Sequence, residues 1–392
     1  MANPTLTGVV SDATIAQAQR VVDMNPVIQN LQDDVSQFTN YLQKIKSRPA
    51  HSQIVQWLED DLVPIIDTLA VSAAVATGGT STLTFTSNPF RVRDVLRFST
   101  SGENVVVTGI TGVSAGVNRA LSLQGTTAAA GSDVIKIGNA ALEGATLGTL
   151  IQTKKIAQSN YCQIQRDPFG FTETALASEM YGGNLDTNEK AEKFIEHRRQ
   201  LENTAFFGQR AYDSSGTQPV AYAGGAIDYI ATNKTTSVST LDQKTFETFL
   251  RSAFRYGGTN KVLFCSPLIA SALSSFPLAK LAPADNEKQR SWGTNVNSYI
   301  SGSVAGRVDI VVKRDWMDAQ TASGNNVSSP AGMAFLIDTD AVKWRPLRDT
   351  RYLPGRQGND EDSKKNEYLT EGCIEFDNEK RHALLLGVTA YS

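Results

Sequence analysis

The chain has 392 residues, 41% hydrophobic and 20% charged, with 37 Lys+Arg against 40 Asp+Glu and a formal net charge of -3. At about 100–200 residues per domain this predicts two or three domains, and the apolar content with low net charge excludes a disordered chain. The near-neutral balance argues against a dedicated nucleic-acid binder, which carries a strong basic excess. Thr and Ser number 36 and 32, an excess that suits strands, turns and surfaces that are covered rather than solvated. Cys162, Cys265 and Cys373 are far apart in sequence and form neither a disulfide framework nor a CxxC pattern, so a reducing compartment is expected. Residues 1–20 lack a basic and an apolar signal region, and no apolar run is long enough to span a membrane. The expectation is a soluble chain made in a cytoplasm.

In chain order, the start to Gly8 is polar. Ile28, Leu31, Val35, Phe38, Leu42 and Ile45 follow at alternating spacings of three and four, the seam of an amphipathic helix. That seam fits either a helix packed on its own domain or an arm that seeks a partner. Ser47-Arg48-Pro49 ends it, and Gln53–Leu58 reads as extended up to the acidic cluster Glu59, Asp60 and Asp61. Composition then changes. Residues 63–149 hold five Lys/Arg and five Asp/Glu and are dense in Thr, Val, Ala and Gly. Strands are predicted at Thr82–Thr86, Val95–Ser99, Asn104–Ile110, Arg119–Leu123 and Asp133–Ile137, with turns at Gly78-Gly79, Ser101-Gly102, Ser114–Gly116 and Gly131-Ser132. This reads as an inserted small barrel or sandwich.

Leu150–Gln165 reads as extended, ending at Arg166-Asp-Pro-Phe. Asp186–Phe207 is the clearest helix, capped by Asp186 or Thr187, stopped by Gly208, with Ala191, Phe194, Ile195, Leu201 and Ala205 on one face. Phe246, Phe249, Leu250 and Ala253 predict a short helix closed by Gly257-Gly258, and Lys261–Cys265 a buried strand. Ser266 caps the next helix, with Pro267 at its first position and its end at Ser275. Further strands are predicted at Arg307–Lys313 and Met333–Asp338. The closing runs Tyr368–Phe376 and Ala383–Tyr391 read as a hairpin.

The chemistry that would mark an enzyme is missing from the pattern. His51, His197 and His382 sit in separate segments without HExxH or GxSxG and are expected at solvated or edge positions. Neither a Walker A sequence nor a GxGxxG after a strand is present. Ser266-Pro267 is expected to be an ordinary cap rather than an anion site. Glu59-Asp60-Asp61 could hold a cation, but a solvated turn or a salt-bridge partner for another subunit is the simpler expectation. The basic run Lys343–Arg348, continuing to Arg351 and Arg356, carries Trp344 and Tyr352, as a nucleic-acid contact would. Asp338, Asp340 and Asp349 surround it, so inter-subunit salt bridging is an equal reading. Asn233-Lys-Thr and Asn326-Val-Ser match a glycosylation sequon without a secretory context. No cofactor or metal is expected.

The order of parts resembles the Hong Kong-97-type fold of tailed-phage major capsid proteins, in the subgroup whose extended loop carries a β-domain. The resemblance is carried by Phe38–Ile45, Gln56–Leu62, Tyr161–Pro168 and Glu192–Gly208 with its Phe206-Phe207-Gly208 end. It implies an α+β fold with an N-terminal arm (1–48), an extended loop (49–62 and 144–165), an inserted β-domain (63–143), a peripheral domain with a spine helix (166–215 and 336–392) and an axial domain (216–335). It also implies a shell subunit forming pentamers and hexamers around double-stranded DNA, found in the virion and assembled in the host cytoplasm. Scaffolding, portal and decoration proteins are the further partners it implies. The residues expected at assembly contacts are Ile28, Leu31, Val35, Phe38, Leu42, Ile45, Trp57, Glu59, Asp60, Asp61, Arg345, Arg348 and Arg351. Three other readings compete. An encapsulin-like compartment shares the fold. An enzyme would have to use Glu59–Asp61 with His197, which no spacing supports. A secreted β-rich adhesin lacks its signal peptide.

Overall fold

The computed structural model describes residues 36–72, 80–118, 128–146, 148, 150–178, 184–236, 238–276, 281–283, 296–301, 306–317 and 329–391. Ile28, Leu31 and Val35 lie outside them. Contacts divide the chain into two units, one running Leu58–Gln158 and the other holding the described residues on either side of it.

Helix α1 (Gln37–Ile45) and strand β1 (Ile54–Glu59) come first. The second unit then contributes β2 (Ile66–Thr68), β3 (Thr80–Thr84), β4 (Asp94–Phe98), β5 (Asn104–Thr111), β6 (Ser114–Asn118) and β7 (Asp133–Asn139). Their order is β2-β7-β4-β5-β6-β3, and an antiparallel bridge Leu69↔Phe85 joins the two outer strands. Ala70 N–H donates to Thr84 O at 2.9 Å and Thr86 N–H to Thr68 O at 3.0 Å along that seam. The sheet thus closes on itself as a small barrel, which removes the exposed edges an open sheet would carry. Period-two alternation fills it: Leu96, Phe98, Val105, Val107, Ala115 and Val117 point inward and are buried. Two predictions shift here. Ser114–Gly116 begins β6 rather than forming a turn, and the turn is Gly112-Val113, with Gly112 at φ +61° as a two-residue hairpin loop requires. Arg119–Leu123 lies outside the described residues.

β8 (Ile156–Tyr161) pairs with β1 as a two-stranded ribbon, and residues 150–155 ahead of it are not strand. β9 (Gln163–Thr172) runs straight through Pro168 instead of ending at Arg166. It can do so because it is the edge of the order β19-β20-β9, where a residue without N–H costs no ladder bond. Helix α2 (Glu173–Ala177) is followed by α3 (Leu185–Phe207). Asn184, not Asp186 or Thr187, caps α3 by accepting the Thr187 N–H at 3.4 Å. Gly208 ends it through close approach rather than a left-handed turn: its φ is -58°, and a Cβ there would stand 2.4 Å from Ala223 O.

The remainder holds β10 (Ala211–Asp213), β11 (Val220–Tyr222), α4 (Ala226–Tyr229), β12 (Lys234–Thr235), β13 (Thr240–Leu241) and α5 (Gln243–Ala253). Then come β14 (Asn260–Cys265), α6 (Pro267–Ser275), β15 (Leu281–Pro283), β16 (Val296–Ile300), β17 (Arg307–Val312) and β18 (Ala334–Ile337). β19 (Val342–Leu353), β20 (Ser363–Phe376), β21 (Ala383–Leu385) and β22 (Ala390–Tyr391) close the chain. Among the described residues the main sheet is mixed, in the order β12-β21-β18-β14-β17-β16-β15.

Both faces of that sheet are covered, which explains why its strands read as continuous apolar runs. Leu263, Cys265, Ala334, Leu336, Ala383 and Leu385 face α5 and α6. Phe264, Phe335, Ile337 and Leu384 face the opposite way, into a cluster with Phe206, Trp316 and Trp344. α5 and α6 form where predicted, capped by Asp242 (accepting Thr245 N–H at 2.9 Å) and Ser266 (accepting Ile269 N–H at 3.4 Å).

The predicted closing hairpin does not form. β20 sits between β19 and β9, whereas β21 pairs with β18 and β12, and β22 runs parallel to β13. Asn378, at φ +55°, and the single turn Glu379–Arg381 hand the chain from one sheet to the other. β21 therefore joins the main sheet and β22 forms a separate two-stranded sheet with β13, so neither pairs with β9, β19 or β20, as the assignment of 336–392 to one domain implied.

Candidate functional site

α1 shows how far the expected arm belongs to its own chain. Phe38 and Leu42 are fully buried, and Phe38 packs against Phe206 and Phe264 at 5.0 Å between ring centroids in each case. Ser36 makes no side-chain cap; instead the Glu202 carboxylate of α3 accepts the Phe38 N–H at 3.0 Å, the Thr39 N–H at 2.7 Å and the Thr39 hydroxyl. A carboxylate at that end satisfies orphan donors and favours the helix dipole. Past α1, Arg48 N–H donates to Trp344 O and Ala50 N–H to Pro346 O, tying the segment to β19. Phe38 and Leu42 are thus core residues of this chain, with no surface left for a neighbour. Ile45 is the last residue of α1.

The basic run is likewise satisfied internally. On β19 and β20, Arg345 pairs with Glu375 at 2.5 Å, Arg348 with Glu371 at 2.5 Å, and Lys343 with Glu375 at 3.1 Å and Asp377 at 2.5 Å. Arg356 reaches Glu367 at 2.9 Å, and Arg166 of β9 meets the same carboxylate at 2.5 Å. Antiparallel register, rather than nearness in sequence, selects these partners. Lys343 is raised above the usual lysine range by its two carboxylates against the opposing effect of burial, and Glu375 is held low by Lys343 and Arg345. Arg345 and Arg348, expected at assembly contacts, thus pair within the chain, while Arg351 is exposed.

Two histidines depart from expectation. His197 is fully buried: its Nδ1–H donates to Asp167 Oδ2 at 2.5 Å, and its Nε2 stands 2.7 Å from Thr370 Oγ1. An Asp-His-hydroxyl line has the outline of a nucleophilic triad. Here His197 and Thr370 are both fully buried and Thr370 donates on to Thr350 at 2.9 Å, so the line clamps α3 to β9 and β20 instead of presenting a nucleophile. His382 is also buried, accepting the Asp338 N–H on Nδ1 at 3.2 Å, and burial holds its pKa down at about 3. The buried face of α3 is His197, Leu201, Glu202, Ala205 and Phe206, whereas Ala191 and Phe194 are exposed. The polar residues on this face are satisfied by other elements, His197 by Asp167 and Thr370 and Glu202 by α1 and Lys313, so hydrophobicity alone could not reveal them.

Trp57 is half-buried, its ring 5.7 Å from that of Tyr229. Asp60 and Asp61 are exposed and Glu59 half-buried; Asp60 accepts the Thr153 hydroxyl at 2.9 Å. Among the described residues no group of three or more His, Cys, Asp or Glu side chains could hold a metal. No described helix is long and apolar enough to cross a membrane. What the second unit does present is apolar surface outside its barrel. Leu62 is 93%, Leu150 73% and Leu58 70% exposed, with Ile65, Leu142 and Ile156 close behind. The sequence signal was present, as isolated large aliphatics in a non-periodic polar stretch, but spacing gave no reason to select them.

A mixed sheet covered on both faces, a spine helix clamped to a second sheet, and a β-barrel carried between two ribbon strands define a Hong Kong-97-type capsid fold. The chain belongs to the SU10 major capsid protein family, whose model matches residues 6–389. A major capsid protein of Pseudomonas phage PaMx41 is 24% identical over 210 residues, half of this chain and half of that protein. The chain thus aligns with about half the length of that curated relative. A solved structure from Mycobacterium phage Ogopogo aligns over 97% of this chain and 99% of its own at a TM-score of 0.51 and 11% identity. A chain from the capsid of a native GTA particle aligns over 96% and 98%, at 9% identity and a TM-score of 0.48.

Proposed function

We propose that the chain is the repeating shell subunit of a phage head, assembling as pentamers and hexamers into an icosahedral shell around double-stranded DNA. The observation that carries this reading is the exposed aliphatic set Leu58, Leu62, Ile65, Leu142, Leu150 and Ile156 on a chain of the major capsid protein family. Large aliphatic side chains left this exposed are available for contact with a neighbouring copy. Covering each such side chain stabilises by about 1.5–3 kcal/mol. Six of them give on the order of 10 kcal/mol, comparable to the ~4–15 kcal/mol cost of ordering two molecules. One contact is therefore weak, and a closed shell that repeats it many times is strong.

In this reading residues 1–48 form the N-terminal arm, of which α1 packs on its own chain, and 49–62 with 144–165 form the extended loop, Trp57, Glu59, Asp60 and Asp61 among its contacts. The sheet of β9, β19 and β20 with α3 is the peripheral domain, and residues 216–335 joined by β21 and β22 are the axial domain. The subunit resides in the virion after assembly in the host cytoplasm, meeting scaffolding, portal and decoration proteins. A net charge of -3 suits a wall that encloses DNA without gripping each phosphate. The chain performs no catalysis in this role. Sedimentation of Leu62→Asp/Leu150→Asp beside the natural chain tests the reading. The natural chain should form fast-sedimenting particles and the variant only small folded species; equal particle yields would overturn it.

A further inference from the structure

Cys162 and Cys373 are separated by more than two hundred residues in sequence, yet their sulfurs are 3.7 Å apart and both residues are buried. Their placement follows from register. Gln163↔Gly372 is the last pair of the β9–β20 ladder, so Cys162 and Cys373 face each other one step beyond it. Residues opposite one another in antiparallel strands have Cα atoms about 4.5–5.5 Å apart, inside the roughly 4.4–6.8 Å that a disulfide spans. Cys162 also occupies a junction: it separates β8 from β9, and its N–H donates to Gln53 O at 2.8 Å, just ahead of β1. Around the pair, Ser52 O and Arg345 O stand 3.8 and 3.9 Å from Cys162 Sγ.

We infer that Cys162 and Cys373 are a reactive thiol pair which a peroxide converts into an intrachain disulfide, fastening the root of the β1–β8 ribbon to the central strand β20. The two thiols are chemically unequal. The hydrogen bond between the two thiols holds Cys162 below the usual thiol range against burial, while the same bond and burial push Cys373 up. Cys162 is accordingly the sulfur that reacts first. Its thiolate attacks one peroxide oxygen, the O–O bond breaks, and sulfenic acid and hydroxide result. Cys373 sulfur then displaces the sulfenic oxygen as hydroxide, which takes up the Cys373 proton and leaves as water. In total two thiols lose two electrons and two protons, and one peroxide becomes two waters. Peroxide is close to water in size, which suits a site without open access. Cys265 is buried alone in another cluster, where burial pushes its thiol up to about 12, so it serves as an internal control.

The test exposes the folded full-length chain to graded hydrogen peroxide, then alkylates it in denaturant without reductant and maps the peptides by mass. The expected product is a Cys162–Cys373 linked peptide two hydrogens lighter than its parts, with Cys265 alkylated, thiols falling from three to one, and full reversal by reductant. Cys373→Ala should remove the linked peptide and leave Cys162 as a sulfenic acid that a dimedone probe traps. Three persistent thiols in the natural chain, a cross-link between copies, or equal oxidation of Cys265 would each overturn the inference. None of these readouts depends on shell formation.

Discussion

Lys313 Nζ stands 2.8 Å from Glu202 Oε1, and both side chains are only 1% exposed. The same carboxylate caps α1, so one buried ion pair joins α1, α3 and the end of β17. Removing one member of such a pair leaves an uncompensated charge and costs about 3–5 kcal/mol, more than the pair itself is worth. Lys313→Met should therefore destabilise the chain by about 3–5 kcal/mol in urea unfolding, and Glu202→Gln/Lys313→Met by less. Additive losses would show that the pair does not act as a unit.

His382 sets a pH dependence. Its pKa is about 3 in the folded chain against an ordinary 6.5, because burial outweighs the favourable Asp338 charge, with Lys261 and Arg381 adding to the depression. Between those values the unfolded chain binds the additional proton, so stability rises with pH across the window and is lost as pH falls through it. Asp338, held low by the Gly258 N–H and Arg381, acts in the same direction at the acid end. Urea midpoints measured from pH 4 to 7 should climb, and His382→Asn should flatten that climb. A midpoint independent of pH would contradict the burial of a neutral imidazole.

Gly208 is required by proximity. Gly225 N–H donates to Gly208 O at 2.9 Å, and an added Cβ would meet Ala223 O at 2.4 Å and Thr204 O at 2.6 Å, all backbone. Gly208→Ala should cost at least the ~1–3 kcal/mol of ordinary overpacking, because backbone cannot rotate away. Thermal unfolding of the variant measures it, and an unchanged midpoint would show that the α3 end relaxes freely.

The barrel should be separable. Its core is its own, and its edge strands are joined by the Leu69–Phe85 bridge. Replacing 66–139 with a short Gly-Ser linker should preserve slow amide exchange in β14 and β20, whereas Leu96→Ala should cost ~2–5 kcal/mol within the barrel alone. Loss of protection throughout β14 and β20 after the deletion would contradict this.

How much of this was legible from sequence depends on the range of the interaction. Lys261–Cys265 and the Ser266-Pro267 helix start are local signals, and each element forms there. The Phe38–Leu42 seam was legible as a helix face, but its partner was not, because Phe206 and Phe264 come from distant segments. His197, Glu202 and the Arg345–Glu375 ladder were missed for the same reason. Their partners are fixed by strand register and by the handover at Asn378, and a polar residue that is satisfied inside looks in sequence like one solvated outside.

Removing the first 35 residues tests the arm without touching α1. That variant should keep the urea midpoint of the full chain and assemble poorly, whereas truncation at Ser47 should also unfold the core by removing Phe38 and Leu42. Normal particles from the shorter deletion would dismiss the arm.

Negative-stain electron microscopy of the full-length chain, purified alone and with a scaffolding protein, tests the central claim most directly. Closed particles of uniform diameter built from rings of five and six subunits are the predicted result. Only small, discrete species under every assembly condition would contradict it.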